Sequence, residues 1–371
     1  MNVDILSRIF SFLNDAKDII RAGQSCKLWK EASLDKLSWE NGVLYLKKIE
    51  QLNSCMITSY YSQLQHLRLP DKFNQPIKLP SGLISFTMGH EFNQSIELPS
   101  KLENFNMGLY FNQSIELPSS LQNFWMSYAF NQLIKLPSGL KGFTMGNEFN
   151  QSIELPLGLK EFNMGNEFNQ SIELPSSLQY FKMGRYFKQS IKLPIGLKEF
   201  CMSDEFNQPI GLPSGLKEFR MGDEFNQPIE LPSGLKELNM GIYFNKPILL
   251  PLELRVLRLG YRFNQPIELP STLENFYMGQ SFNQHIKLPS ELRELTLGPT
   301  FNKQFTLPVK LKRLYSSYML TQFDLPSNLQ LHTAEYMKCI EFEEELPCNL
   351  ICKVEKNKIM IRRKSKRKNT K

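Results

Sequence analysis

One motif returns every nineteen residues through most of this chain, and that spacing constrains the fold more than any individual residue does. Phe-Asn or a close variant begins at Phe73, Phe92, Phe111, Phe130, Phe149, Phe168, Phe187, Phe206, Phe225, Phe244, Phe263, Phe282 and Phe301, with no insertion or deletion between the first and the last. A Leu-Pro pair keeps the same interval from Leu79-Pro80 to Leu307-Pro308. A fixed period of this kind specifies a solenoid, in which each repeat touches its neighbours and the stack presents one long surface.

The segment Leu159 to Pro175 shows what one repeat contains. Apolar residues fall at Leu159, Phe162, Met164, Phe168, Ile172 and Leu174. The opening Leu-x-x-Phe-x-Met alternates at its end, the period of a strand with one buried face. Gly165 then permits a turn. Proline returns in every repeat and leaves little room for a helix, so the outer side reads as turns and extended segments. A single repeat buries too little apolar surface to offset the ordering of its backbone, and the array folds only cooperatively. The recurring asparagines (Asn74, Asn93, Asn112, Asn131, Asn150, Asn169, Asn207 and onward) are expected to hydrogen-bond turn backbone as a buried internal ladder. Lys188 breaks that series, and a local distortion or exposed edge is expected there.

The pattern L-x-x-F-x-M-G-x-x-F-N-x-x-I-x-L-P resembles a short leucine-rich repeat and, more narrowly, the FNIP repeat, seen here in Phe73-Asn74-Gln75-Pro76-Ile77. The resemblance covers about residues 64 to 326. It implies a mainly β, curved, leucine-rich-repeat-like solenoid with a parallel strand ladder on its concave face.

Residues 1–42 carry no trace of the repeat. Ile5, Leu6, Ile9, Phe10 and Leu13 fall at helical spacing, Ile19-Ile20 follow a break at Asn14-Asp15, and Cys26, Trp29 and Ala32 mark a third short helix. Read from the residues alone, these helices would seal the first solenoid strand, as solenoids require. The elements Asp4-Ile5-Leu6, Ile9-Phe10, Phe12-Leu13, Asp18-Ile19-Ile20, Cys26-Lys27, Trp29 and Trp39 resemble an F-box, with Met1-Asn2 where the family usually opens on Leu-Pro. That resemblance implies docking on the Skp-type adaptor of a cullin–RING ubiquitin ligase through Ile5, Leu6, Ile9, Phe10, Leu13 and Trp29. An F-box followed by FNIP repeats resembles proteins of social amoebae and of giant viruses of amoebae. The expected organisation is an all-α F-box at 1–42, a linker or cap at 43–63, about thirteen repeats at 64–310, degenerate repeats and a C-terminal cap at 311–352, and a basic disordered tail at 353–371.

No signal peptide or membrane span is read from the sequence. The six cysteines show no paired spacing, which favours reduced thiols. Asn93-Gln94-Ser95 and its counterparts at Asn112, Asn150 and Asn169 would be glycosylated in the secretory pathway, and a sugar there would break a buried ladder. An intracellular site, host cytoplasm or nucleus, is expected. The tail from Lys353 holds ten Lys or Arg against one Glu, so its charge of +9 exceeds the +7 of the whole chain and the remainder is about −2. Arg362 to Lys368 reads as a nuclear localisation signal, a nucleic-acid contact or a solvated tail. The tail interleaves no aromatic residue, which counts against specific single-strand binding. His332, Cys339, Cys348 and Cys352 fit no established zinc-finger spacing.

On strands whose Leu, Phe and Met point inward, the intervening residues face outward. The positions flanking the strand Phe vary from repeat to repeat while the core positions do not. Among them Trp125, with Tyr128 and Tyr180, forms the expected partner anchor. Lys182, Glu199, Arg220, Arg258 and Tyr277 share the surface, and Glu199, Glu218 and Glu237 are expected on successive strands, either relieved by the neighbouring cations or open to a basic peptide. The four scattered histidines pair with no nucleophile, and the glycines form no phosphate-binding loop. No catalytic residue, cofactor or metal is assigned. The expected function is a non-enzymatic substrate adaptor of a ubiquitin ligase; the alternatives are a plain protein-binding scaffold and nucleic-acid association through the tail.

Overall fold

The computed structural model describes residues 64–316 throughout, together with the backbone of the strands Leu44–Tyr45, Met319–Phe323, Leu329–Thr333, Lys338–Phe342, Leu350–Glu355 and Lys358–Arg363. The expected F-box at 1–42 lies outside the described residues, as do most of 43–63 and residues 364–371. The chain divides into two compact units, Met1–Leu178 and Gln179–Lys371.

The first unit contains β1 (Leu44–Tyr45), β2 (His66–Arg68), β3 (Ser85–Thr87), β4 (Asn104–Asn106), β5 (Asn123–Trp125), β6 (Gly142–Thr144) and β7 (Glu161–Asn163). Each pairs in parallel with the next, and from β2 onward the register advances by one repeat. Strands this short arise because the alternation in Leu-x-x-Phe-x-Met lasts only a few residues before the chain turns. The register sets Leu67, Phe86, Phe105, Phe124, Phe143 and Phe162 opposite one another, all buried. Their rings form an offset parallel column from Phe86 to Phe162 with centroids 5.6–5.8 Å apart. The Phe of Phe-Asn builds a second column, Phe73 to Phe168, at 6.1–6.3 Å.

Two turns per repeat replace a helix, and no helix occurs among the described residues. One closes from Pro to Leu, as in Leu83 N–H donating to Pro80 O at 3.3 Å. The other closes before the Phe, as in Phe92 N–H to Gly89 O at 3.2 Å. The asparagines do form a ladder: Asn74 Oδ1 accepts from the backbone N–H of Asn93 at 3.0 Å and from Gln94 Nε2 at 3.0 Å. The arrangement repeats through Asn112, Asn131, Asn150 and Asn169. These side chains are exposed or half-buried, however, which corrects the expectation that they are internal. They satisfy turn amides on the solvent side, where no strand partner reaches, so incompatibility with a glycan would rest on the hydrogen bond and not on burial.

The glycine after Met answers to close approach more than to the turn itself, although Ser127 and Ser203 hold the same place. A Cβ on Gly165 would lie 1.9 Å from Gly146 O, and one on Gly241 1.8 Å from Gly222 O. Where serine takes this place it is buried, and Ser127 Oγ donates to Leu109 O at 2.7 Å. Gly165→Ala is therefore expected to cost at least 1–3 kcal/mol, roughly the range for forcing atoms into a packed interior. Gly211→Ala, where a Cβ meets nothing within 4 Å, should leave the urea midpoint unchanged or slightly raised. Equal midpoints for the two variants would contradict this account of the glycine.

The second unit repeats the scheme in β8 (Tyr180–Lys182), β9 (Glu199–Cys201), β10 (Glu218–Arg220), β11 (Glu237–Asn239), β12 (Val256–Arg258), β13 (Asn275–Tyr277) and β14 (Glu294–Thr296), with β15 (Phe305–Thr306) and β16 (Arg313–Ser316) following. The ladder β8 to β14 continues in parallel to β16. Beside Lys188 the register is kept, since β8 pairs regularly with β9 and Phe187 is fully buried. The strand register thus shows no distortion there, and Lys188 is exposed, its Nζ 2.6 Å from Glu205 Oε2.

The last parallel strand is covered by antiparallel pairing of β16 with β19 (Lys338–Phe342), which also pairs with β18 (Leu329–Thr333). Such a cover removes an open edge. A separate sheet joins β15, β20 (Leu350–Glu355), β21 (Lys358–Arg363) and β17 (Met319–Phe323) in that order. Lys353–Glu355 and Lys358–Arg363, expected within a disordered tail, are therefore paired strands, because the run Ile359-Met360-Ile361 supplies strand-forming residues that the basic composition obscured.

Candidate functional site

Each strand buries its middle residue and turns its first and third outward, so two outward rows run across each ladder. In the first unit, from β3 to β6, the rows read Ser85, Asn104, Asn123, Gly142 and Thr87, Asn106, Trp125, Thr144. None of these eight side chains is charged. Asn123 Nδ2 donates to Asn104 Oδ1 at 2.8 Å, and the absent Cβ of Gly142 leaves room for the Asn123 amide oxygen. Trp125 is 42% exposed and Tyr128, in the turn that follows, 48%.

Leu109 and Tyr110, exposed in the preceding turn, extend this apolar surface and were missed by reading strand positions alone. The available signal was contrast within the chain: the same two turn positions hold Asn147-Glu148 and Asn166-Glu167 further on. Seven repeats later the same positions are again exposed and apolar, as Ile242, Tyr243 and Tyr261, with Arg258 in the place of Trp125. Tyr180 belongs to the second unit and opens its first row on β8, so it shares neither repeat nor unit with Trp125 and Tyr128.

The second unit's face is charged. Glu199, Glu218 and Glu237 stand in register on β9, β10 and β11. Burial first, then the flanking Glu199 and Glu237, push the Glu218 carboxyl above the usual carboxylate range. Lys182, Arg220 and Arg258 occupy the other row, two positions along the strand, roughly 6.6 Å away. Among the described residues no ion pair joins them to the glutamates, so the expected mutual neutralisation does not occur by direct contact.

A carboxyl raised in the folded state destabilises once it ionises: the penalty is absent below the unfolded-state value and complete above the folded one. Glu218→Gln should accordingly raise the melting temperature at pH 7, with the gain vanishing as acid protonates Glu218. A gain that persists at acid pH would show that charge is not its source.

Cys201 lies between Lys182 and Arg220 on that row. Burial raises its thiol, and the two cations only partly oppose this, so it is not activated as a nucleophile. Tyr277 donates its hydroxyl to Glu294 Oε2 at 3.1 Å, while Arg258 stacks on its ring with the guanidinium carbon 4.3 Å from the centroid. Burial first, then the Glu294 charge, raises the Tyr277 hydroxyl. Arg313 also binds Glu294. Among the described residues no group of three or more His, Cys, Asp or Glu could hold a metal. His332 and Cys339 are backbone partners across β18 and β19, Cys352 lies in the other sheet, and Cys348 is outside the described residues. Ile5, Leu6, Ile9, Phe10, Leu13 and Trp29 are also outside them.

Comparison with known proteins bears on both halves of the chain. The F-box-like family model matches residues 3–44. The FNIP Repeat model matches residues 73–110, 206–243 and 244–281. The crystal structure of CroV588, described as a novel circular LRR protein structure, is similar at 33% sequence identity with a TM-score of 0.57. That similarity covers 68% of this chain and 50% of CroV588, so the chain spans about half the length of that protein. No curated protein sequence matches significantly.

Proposed function

Because the chain is an F-box-like, FNIP-repeat protein with a leucine-rich-repeat-like solenoid, we propose that it is the substrate-recognition subunit of an SCF-type cullin–RING ubiquitin ligase. The observation that carries this reading is the order of parts: an F-box-like segment at 3–44 precedes a repeat array whose outward rows vary in charge and size while its strand core stays Phe, Leu or Met. The F-box would dock on a Skp-type adaptor, and through it a cullin, while the repeats hold a protein substrate. Trp125 and Tyr128 anchor that substrate, being aromatic, exposed and set in an uncharged field. The subunit is non-catalytic, takes no cofactor, and works inside the host cell, in cytoplasm or nucleus, with Arg362–Lys368 as a nuclear localisation signal.

The test is reconstitution. The purified full chain is mixed with a purified Skp-type adaptor and cullin and resolved by size-exclusion chromatography. Co-elution of all three is expected. Separate elution, with the solenoid's far-UV dichroism intact, would reduce the N-terminal segment to a cap on a binding scaffold.

A further inference from the structure

We propose that Arg258 and Arg262 form an anchor for an oxyanion, carboxylate or phosphate, carried by a partner protein segment whose flanking side chains are apolar. Both arginines come from one repeat of the second unit, Arg258 on β12 and Arg262 in the turn that follows, with only Leu259, Gly260 and Tyr261 between them. Their Cα atoms lie no further apart than about 14 Å, the reach of four extended residues, and the two guanidinium groups lean toward the repeats on either side.

Each is held against a tyrosine of a neighbouring repeat. The Arg258 guanidinium carbon is 4.3 Å from the Tyr277 ring centroid, and that of Arg262 is 4.5 Å from the Tyr243 centroid. Stacking fixes the plane of a guanidinium while leaving its N–H edge free, so the fork is organised before any ligand arrives. Both side chains are exposed.

Their neighbours differ in one respect. Arg255 and Arg293 pair with Glu274, and Arg313 pairs with Glu294. Arg258 and Arg262 have no carboxylate within 4.0 Å among the described residues. On its row Arg258 lies between Asn239 and Tyr277, neither of them acidic. In the turn row Arg262 follows Tyr243, and Glu224 stands one repeat beyond it. Two organised forks with no carboxylate in direct contact, the charge of Glu294 sitting on the Tyr277 hydroxyl, complement an acidic or phosphorylated segment, which a guanidinium binds in the same bidentate way.

The exposed Ile242, Tyr243 and Tyr261 beside them supply apolar contact and exclude water from the pair. The equivalent positions of the first unit hold Trp125 and Ala129 in place of the two arginines, so charge recognition is confined to the second patch. This inference rests on the reading of the repeats as a protein-binding surface and is independent of the F-box assignment.

The experiment uses the full chain and three labelled twelve-residue peptides of leucine and alanine, with a central pair of glutamates, phosphoserines or glutamines, read by fluorescence anisotropy. The glutamate and phosphoserine peptides should bind at least tenfold more tightly than the glutamine peptide, and the larger of the two preferences names the source of the oxyanion. Arg258→Glu with Arg262→Glu should abolish the preference. Lys192→Glu with Lys287→Glu, exposed in the same unit and equal in charge change, should retain it. The double Arg→Lys variant keeps the charge but loses the fork and should fall between.

Equal binding of all three peptides, binding of none, or equal loss in the lysine control would overturn the proposal. A peptide preference without adaptor binding would spare this inference and remove the ligase reading; adaptor binding without any preference would do the reverse.

Discussion

Phe124→Ala will destabilise the first unit by about 3–5 kcal/mol, the cost of emptying a phenylalanine site in a close-packed core. Phe124 is buried and stacks on Phe105 at 5.7 Å and on Phe143 at 5.6 Å. Parallel strand pairing with β4 and β6 fixes those neighbours, so they cannot close over the gap. Because each repeat contacts only its neighbours, the loss should be felt first in β4, β5 and β6. Amide exchange should therefore accelerate there before it does in β2. Trp125→Ala, one residue along but exposed, should change stability by no more than about 0.5 kcal/mol. Similar urea midpoints for the two variants would contradict the assignment of inward and outward positions.

The second large effect concerns the N-terminal segment. Ile9→Asp with Phe10→Asp should weaken adaptor binding by a hundredfold or more. Buried apolar anchors at an interface contribute about 2 kcal/mol or more each when truncated, and a carboxylate in the same place adds an unpaired buried charge. Isothermal titration against the purified adaptor measures this directly. The solenoid should be unaffected, since its Phe columns lie in the repeats, outside that segment. A variant that binds as tightly as the parent would place the adaptor contact elsewhere.

Much of the architecture was legible in the sequence because it is written as a period. Phe86, Phe105, Phe124, Phe143 and Phe162 recur at one spacing, and parallel pairing turns that spacing into a stacked column. What could not be read depends on atoms a repeat away. The need for glycine at Gly165 comes from a carbonyl of the preceding repeat, which no local turn rule contains. The ladder asparagines were expected inside because they recur like core residues, yet a repeat can be constant on its solvent side when a turn amide needs an acceptor.

The outward surface was only partly legible for a related reason. Strand alternation predicts which residues leave the core, so Trp125, Arg220 and Glu218 could be named. It says nothing of the turns, where Leu109, Tyr110, Ile242, Tyr243 and Tyr261 are exposed. Charge sequence likewise suggested that Arg220 would relieve Glu218. The strand puts them on separate rows, and the cation that matters most to a ring, Arg258 on Tyr277, comes from a pairing visible only in the register.

The central claim is that one chain joins a ubiquitin-ligase adaptor to a protein held by the repeats. Its most direct test is affinity capture from an amoebal lysate with three baits: the parent chain, Ile9→Asp with Phe10→Asp, and Trp125→Ala with Tyr128→Ala. The parent should bring down the Skp-type adaptor, the cullin and a distinct set of other proteins. The first variant should lose adaptor and cullin while keeping that set, and the second should keep adaptor and cullin while losing members of it. Adaptor absent from the parent, or retained undiminished by the first variant, would contradict the account.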